Sequence, residues 1–151
     1  MERSLVLLKP DAVQRALCGR VIDRLERKGL RLVAARLLQV STQLAEAHYQ
    51  EHSTKPFFGD LVSYITSGPV LAMVWEGYRA IQEIRNLVGP TNPAEAPPGT
   101  IRGDYAMSVR ANVIHASTDM VAAKREIALF FSEDELVDYK RAVDSWVFIE
   151  V

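Results

Sequence analysis

Apolar residues in this chain recur in two rhythms, and the points where one gives way to the other divide it into strands and helices. Ser4 to Leu8 is a short, nearly continuous apolar run, which predicts a buried strand stopped by Pro10, with Asp11 set to cap a turn or short helix. From about Leu17 to Lys28 the apolar positions Val21, Ile22 and Leu25 follow helical spacing, and Gly29 ends the helix. Leu30 to Val40 alternates as a strand. Ser41 caps a helix running to about His52, and Phe57 to Thr66 predicts another, with Phe58, Leu61, Val62 and Ile65 along one stripe. Pro69 to Trp75 is apolar and β-prone, hence a central strand. Tyr78 to Val88 returns to helical spacing through Ile81, Ile84 and Leu87 or Val88.

Gly89 to Asp104 breaks both rhythms with Pro90, Pro93, Pro97 and Pro98. A structureless loop of roughly sixteen residues is uncommon in a compact domain and is usually functional. Beyond it Tyr105 to Ala111 alternates as a strand, and Asn112-Val113-Ile114-His115 leads towards a helix near Asp119 to Phe130. Ser132-Glu133-Asp134-Glu135 matches a capping box for a last short helix, and Trp146 to Val151 is an apolar tail. Few strands separated by helices predict an α+β sandwich, with helices on one face of a small sheet.

Length and composition narrow this further. The 151 residues, 48% hydrophobic and 25% charged, suit one domain spanning 1–151, with a core that needs no metal or disulfide. Lys and Arg number 18 against 19 Asp and Glu, a net charge of −1, which argues against nonspecific nucleic-acid binding and a polybasic membrane anchor, and no specific nucleic acid is expected as a partner. Any anion site must come from a local convergence of basic groups. Cys18 is the single cysteine, so neither an internal disulfide nor a paired-thiolate zinc site is available. The apolar stretch Leu5 to Leu8 is too short for a secretory or membrane-spanning segment, and the expected location is cytoplasmic.

Familiar catalytic loops are missing: no glycine precedes a lysine, and there is neither a Gly-x-Gly-x-x-Gly nor a Gly-x-Ser-x-Gly. His48-Tyr49-Gln50-Glu51-His52 fits the spacing of an inverted zinc-peptidase motif, but catalytic zinc needs a third protein ligand, and a polar stretch beside Lys55 reads as a solvated helix face. His115 is the stronger candidate. It follows Val113-Ile114, precedes the small residues Ala116-Ser117, and lies upstream of Glu126, so one ring nitrogen can be held by a carboxylate while the other attacks. The competing reading is a core histidine bonded to backbone. Lys9 at a strand end, with Arg85, Thr91, Asn92 and Arg102 in and beside the proline-rich loop, offers groups able to converge on a polyphosphate.

Taken together, these residues resemble the nucleoside diphosphate kinase family along essentially the whole chain. The resemblance is carried by Leu8-Lys9-Pro10-Asp11-Ala12-Val13-Gln14-Arg15, Lys55-Pro56-Phe57-Phe58, Ser67-Gly68-Pro69-Val70, Met73-Val74-Trp75-Glu76-Gly77, Thr91-Asn92-Pro93-Ala94, Pro98-Gly99-Thr100-Ile101-Arg102-Gly103-Asp104 and Asn112-Val113-Ile114-His115. It implies a ferredoxin-like α/β sandwich with a four-stranded antiparallel sheet covered by helices. It also implies transfer of the terminal phosphate of a nucleoside triphosphate to a nucleoside diphosphate, by a ping-pong route through a phosphohistidine.

By that resemblance His115 is the phosphoryl acceptor through Nδ1, Glu126 holds the other ring nitrogen, and Ser117 supports the pair. Lys9 and Asn112 contact the ribose 3′-hydroxyl, Tyr49 and Arg102 lie beside the phosphates, and Arg85 with Thr91 holds the inner phosphates. Phe57 stacks on the base with Val109 nearby. Mg²⁺ bridges phosphates and binds mainly through water, with no protein ligand set of its own. Members assemble as tetramers or hexamers. Three departures stand out: Ala116 and Thr118 in place of the family's glycine and aspartate, with Asp119 one position later; Arg110-Ala111 in place of Gly-Arg, which on a strand turns the charge to the other face; and Pro90 before Thr91. The alternative of a different class is a nucleotide-binding or scaffold protein of this fold without turnover, whose signature would be a missing His115, Lys9 or Arg102.

Overall fold

A computed structural model describes residues 1–150, and its first half follows the two rhythms closely. Strand β1 (Glu2–Leu8) gives way at Lys9 to the single-turn α1 (Pro10–Gln14), where the missing amide hydrogen of Pro10 leaves no helical bond unmade. Helix α2 (Cys18–Lys28) ends on Gly29 at φ 106°, the left-handed conformation that a side chain resists. After β2 (Arg31–Leu38), Ser41 caps α3 (Thr42–His48) by accepting from the Leu44 amide. That helix stops at His48, and Gln50–His52 is a separate 3-10 turn, so the expected single helix to His52 is broken at Tyr49. Helix α4 (Phe58–Ile65), strand β3 (Val70–Gly77) and helix α5 (Ala80–Val88) follow within a few residues of expectation.

The second half departs from it. The proline-rich segment holds a 3-10 turn at Pro93–Glu95 and a helix, α6 (Ile101–Tyr105), capped by Thr100 through the Gly103 amide. Residues 105–111 form no strand: Tyr105 closes α6, and the fourth strand, β4, is only Ile114–Ala116. Helix α7 (Met120–Phe130) is capped by the Asp119 carboxylate, the capping box at Ser132 forms on Glu133–Glu135 as expected, and α8 (Asp144–Val147) occupies part of the expected tail. The last residue of that tail, Val151, lies outside the described residues.

The sheet runs β2-β3-β1-β4 with every neighbouring pair antiparallel, so β1 and β3 are central. Leu5 to Leu8 are all fully buried, which a strand achieves only when both faces are covered. Val6, Leu8, Met73 and Trp75 meet α2 and α5 on one side. Leu5, Leu7, Ala72 and Val74 meet α3, α4 and α7 on the other. The expectation of helices on one face is therefore corrected to both, and the unbroken apolar run in β1 is the reason. His115 pairs with Leu7, which assigns the imidazole to the α3 and α7 side.

Candidate active site

His115 sits in the middle of β4 with its ring facing Glu126 of α7, and Nε2 lies 3.0 Å from Oε1 of that carboxylate. The Ser117 hydroxyl donates to the same oxygen at 2.7 Å and accepts from the Leu5 amide at 3.1 Å. Burial pushes the Glu126 carboxyl up, but hydrogen bonds from His115 and Ser117 and the neighbouring imidazoles outweigh it and hold the group below the usual carboxylate range. An ionised carboxylate on Nε2 fixes the neutral tautomer that carries its proton there, and so leaves the lone pair on Nδ1.

Lys9 approaches from the end of β1. Its Nζ donates to Asn112 Oδ1 at 2.8 Å, while Asn112 Nδ2 donates to the Thr91 carbonyl at 3.0 Å. Burial, helped by the positive Arg102, lowers the Lys9 ammonium from 10.5 to about 8. The backbone that brings Asn112 here is unusual: Val113 has φ 75°, and the Ile114 amide donates to the Asn112 carbonyl. This is a γ-turn of the rare positive-φ kind, strained further by the β-branched side chain. Asp11 holds it by accepting from the Val113 amide at 3.0 Å while its other oxygen accepts from the Tyr64 hydroxyl. Asp11 thus ties the turn down and caps nothing; α1 has no side-chain cap.

Arg85, Thr91 and Arg102 line the same cleft of about 230 Å³ as Lys9, Tyr49, Asn112, His115 and Glu126. Arg102 is buried, and its three nitrogens donate to the carbonyls of Asn112, Gly89 and Ile114. It therefore braces the backbone on both sides of the γ-turn while keeping one further N–H on each terminal nitrogen. Burial and the Arg85 charge lower its guanidinium to about 10. Tyr49 is buried at the rim, with its phenol raised to about 12 by burial and by the charge of Glu126. The cleft continues into an apolar cavity of about 650 Å³ lined by Phe57, Leu61, Tyr64 and Val109, a size that admits a planar heterocycle. Phe57 and Val109 are half exposed on its walls.

Every residue that the resemblance assigns to the site reaches the cleft or its extension except Ser117, which stands behind Glu126; Asn92, the other polar group expected at the phosphates, lines neither cavity and instead caps the Pro93–Glu95 turn by accepting from the Ala94 amide at 3.0 Å. Two of the three departures resolve individually. Ala116 lies in β4 outside the positive-φ residues, so its position requires no glycine. Thr118 lines the cleft, but Asp119 turns back to cap α7 and lines neither cavity, so it does not take the place of the missing aspartate. Arg110 is in a turn, outside any strand, and pairs with Asp60 at 3.0 Å beside the apolar cavity.

The solvated helix face expected at His48 is corrected by the structure, which buries this residue against the site. His48 is 3% exposed and packs edge-on against His115, with ring centroids 4.7 Å apart. Neither of its ring nitrogens has a hydrogen-bond partner. Burial above all, with the nearby His115, lowers its imidazole to about 3. The sequence pattern paired it with His52, but the helix ends between them and His52 packs beside Phe57 instead.

Comparison with known proteins bears on what this cleft does. The family model for nucleoside diphosphate kinase matches residues 2–136. A nucleoside diphosphate kinase of Archaeoglobus fulgidus is 58% identical over 150 residues, covering 99% of each chain, and one of Bacillus licheniformis is 55% identical over 148 residues. Among solved structures, a halophilic nucleoside diphosphate kinase from Halobacterium salinarum in complex with CDP superposes with a TM-score of 0.96 at 52% identity, covering 98% of this chain and 99% of that one. A Babesia bovis family protein gives 0.96 at 46% identity. With near-complete coverage on both sides and a cleft that gathers the residues the motifs carry, the chain belongs to the nucleoside diphosphate kinase family.

Proposed function

We propose that the protein, as one domain, moves the terminal phosphate of a nucleoside triphosphate onto Nδ1 of His115 and then onto a nucleoside diphosphate bound in the same cleft. The observation that carries this reading is the His115–Glu126–Ser117 chain, which holds the imidazole through Nε2 in a cleft bearing Lys9, Arg85 and Arg102. In the first half-reaction the Nδ1 lone pair attacks the terminal phosphorus, the N–P bond forms, and the bond to the bridging oxygen breaks with its electrons leaving on the diphosphate. Glu126 steadies the positive charge that grows on the ring. Lys9, Tyr49 and Arg102 stand beside the equatorial oxygens, whose charge is what fixed donors stabilise in a loose transition state.

Arg85 and Thr91 hold the inner phosphates in this reading, and Lys9 with Asn112 holds the 3′-hydroxyl. Phe57 and Val109 receive the base through π-face and apolar contact, so purines and pyrimidines are both accepted. A divalent cation serves family members, and here the fitting choice is Mg²⁺. The carboxylates at the cleft are Glu126, committed to His115, and Glu51, so the donor set suits an ion carried by phosphates and water. When bound, such an ion neutralises phosphate charge. No helix among the described residues is long and apolar enough to cross a membrane. We read the working form as a cytoplasmic tetramer or hexamer, with exposed Met107, Val121 and Trp146 available for contacts between copies.

The test is incubation with terminally labelled ATP and Mg²⁺ without acceptor, followed by GDP. Acid-labile, alkali-stable label on the wild type, absent from His115→Ala and discharged into GTP, is the expected result. Substantial turnover by His115→Ala would remove the residue from the mechanism.

A further inference from the structure

We propose that His48, His115 and Glu126 form a binding site for a borderline divalent metal ion of the zinc type, and that occupancy of this site switches off the nucleophile. The three residues come from α3, β4 and α7, and one ligand atom from each lies within 4.8 Å of the others. Two imidazoles and one carboxylate with a position open to a cleft are the donor set of catalytic zinc sites. A hard ion such as Mg²⁺ prefers oxygen donors alone and has no claim on it.

Two observations go beyond proximity. First, His48 is almost wholly buried, yet both ring nitrogens lack a partner, and such a polar group costs folding free energy unless something meets it. Its packing against Phe130 and Tyr49 accounts for the ring faces and not for the nitrogens. Second, His115 Nε2 and Glu126 Oε1 are already 3.0 Å apart, close to the spacing of about 3.4 Å that tetrahedral bonds of 2.0–2.2 Å impose. The His48 ligand atom lies within 4.8 Å of one ligand atom on each of the other two residues, and closing such a separation to that spacing is a shift of about 1.4 Å.

The chemical consequence follows from which nitrogen the ion takes. Zinc enters between Nε2 and Oε1, where the ring proton resides. That proton leaves Nε2, and the neutral ring takes one up at Nδ1 through solvent, so no net charge is lost. Nδ1 then has no lone pair, and attack on phosphorus stops even with the phosphate-binding groups in place. This last consequence rests on the phosphohistidine reading above; the site itself does not.

The experiment titrates Zn²⁺ into the full chain without nucleotide by calorimetry in a non-chelating buffer, with Mg²⁺ as control, and follows ¹⁵N-histidine resonances in parallel. Expected are one Zn²⁺ per chain, no Mg²⁺ binding at the same site, and conversion of His115 from the Nε2–H to the Nδ1–H form. His48→Phe keeps the ring packing and removes the ligand, and it weakens zinc about 100-fold or more, at or beyond the top of the range seen for losing even an outer partner of a metal site. Absence of binding, binding unchanged in His48→Phe, or zinc that leaves His115 protonated on Nε2 overturns the proposal. The tautomer readout uses wild-type protein, so it stands whether or not His48→Phe folds. The labelling test is run without zinc, so its failure is separate from failure here.

Discussion

Replacing Ser117 with alanine removes one oxygen atom from the most enclosed part of the site, and its cost can be worked from three distances. The hydroxyl accepts from the Leu5 amide at 3.1 Å and donates to Glu126 at 2.7 Å, and Ser117 and Leu5 are both fully buried. An orphaned buried amide costs about 1–3 kcal/mol, and a bond to a charged acceptor contributes about 1.5–3 kcal/mol. The two losses share one relaxation, so about 3 kcal/mol in total is a reasonable figure. With an unfolding entropy of about 2.1 cal/mol/K per residue, that lowers the melting temperature by roughly 9 °C. Glu126 also keeps its 3.0 Å bond to His115 but loses its second anchor, so histidine phosphorylation slows about tenfold for each 1.4 kcal/mol of lost positioning. Calorimetry and single-turnover labelling with terminally labelled ATP measure the two effects. A melting temperature within about 2 °C of wild type would refute the reasoning, because it would mean that Leu5 and Glu126 find substitutes for the hydroxyl.

Other predictions follow from the same geometry. Lys9 ionises at about 8 when folded and at 10.5 when free, so the unfolded chain binds the extra proton between those values and stability rises with pH across that window. Nucleotide phosphates restore its charge; triphosphate binding at about pH 9 therefore takes up close to one proton and at pH 7 almost none, as calorimetry in buffers of different ionisation enthalpy will show. Phe57→Ala should weaken purine and pyrimidine nucleotides alike, by about 1–3 kcal/mol; loss confined to one base class would contradict the stacking role. A Cβ on Gly103 would meet the Pro97 carbonyl oxygen at 2.0 Å, so Gly103→Ala should destabilise by about 3 kcal/mol, the upper end of overpacking costs, and lower kcat/KM by shifting the adjacent Arg102. An unaltered denaturation midpoint would argue against it.

What could be read from the sequence tracks how local the determining interaction is. Helices α2 and α5 were legible because their stripes are long and their ends are marked by Gly29 and Gly89. The burial of β1 on both faces was implicit in Leu5 to Leu8, although the one-face expectation passed over it. Helix α6 was hidden because Gly103 and four upstream prolines read as loop, while its actual signal, Thr100 capping the Gly103 amide, spans only three residues. Strand β4 is shorter than any periodicity can register, and nothing local announces a valine at φ 75°. The cleft residues themselves were legible through the family resemblance. The bracing of the backbone by Arg102 was not, since its partners Gly89, Asn112 and Ile114 lie 10 to 13 residues away. Nor was the meeting of His48 with His115, which depends on where α3 stops.

The strained turn at Val113 has a mechanical consequence for the strand after it. Three paired residues are too few for β4 to fix its own register on β1, and a slip of one residue would swing His115 to the face covered by α2 and α5, away from every phosphate-binding group. Two end-stops forbid that slip: upstream, the turn pinned by Asp11 and Arg102; downstream, the Ser117 hydroxyl seated on the Leu5 amide. The about 1–3 kcal/mol stored in Val113 is thus the cost of indexing, holding a very short strand in the one alignment that points its imidazole into the cleft.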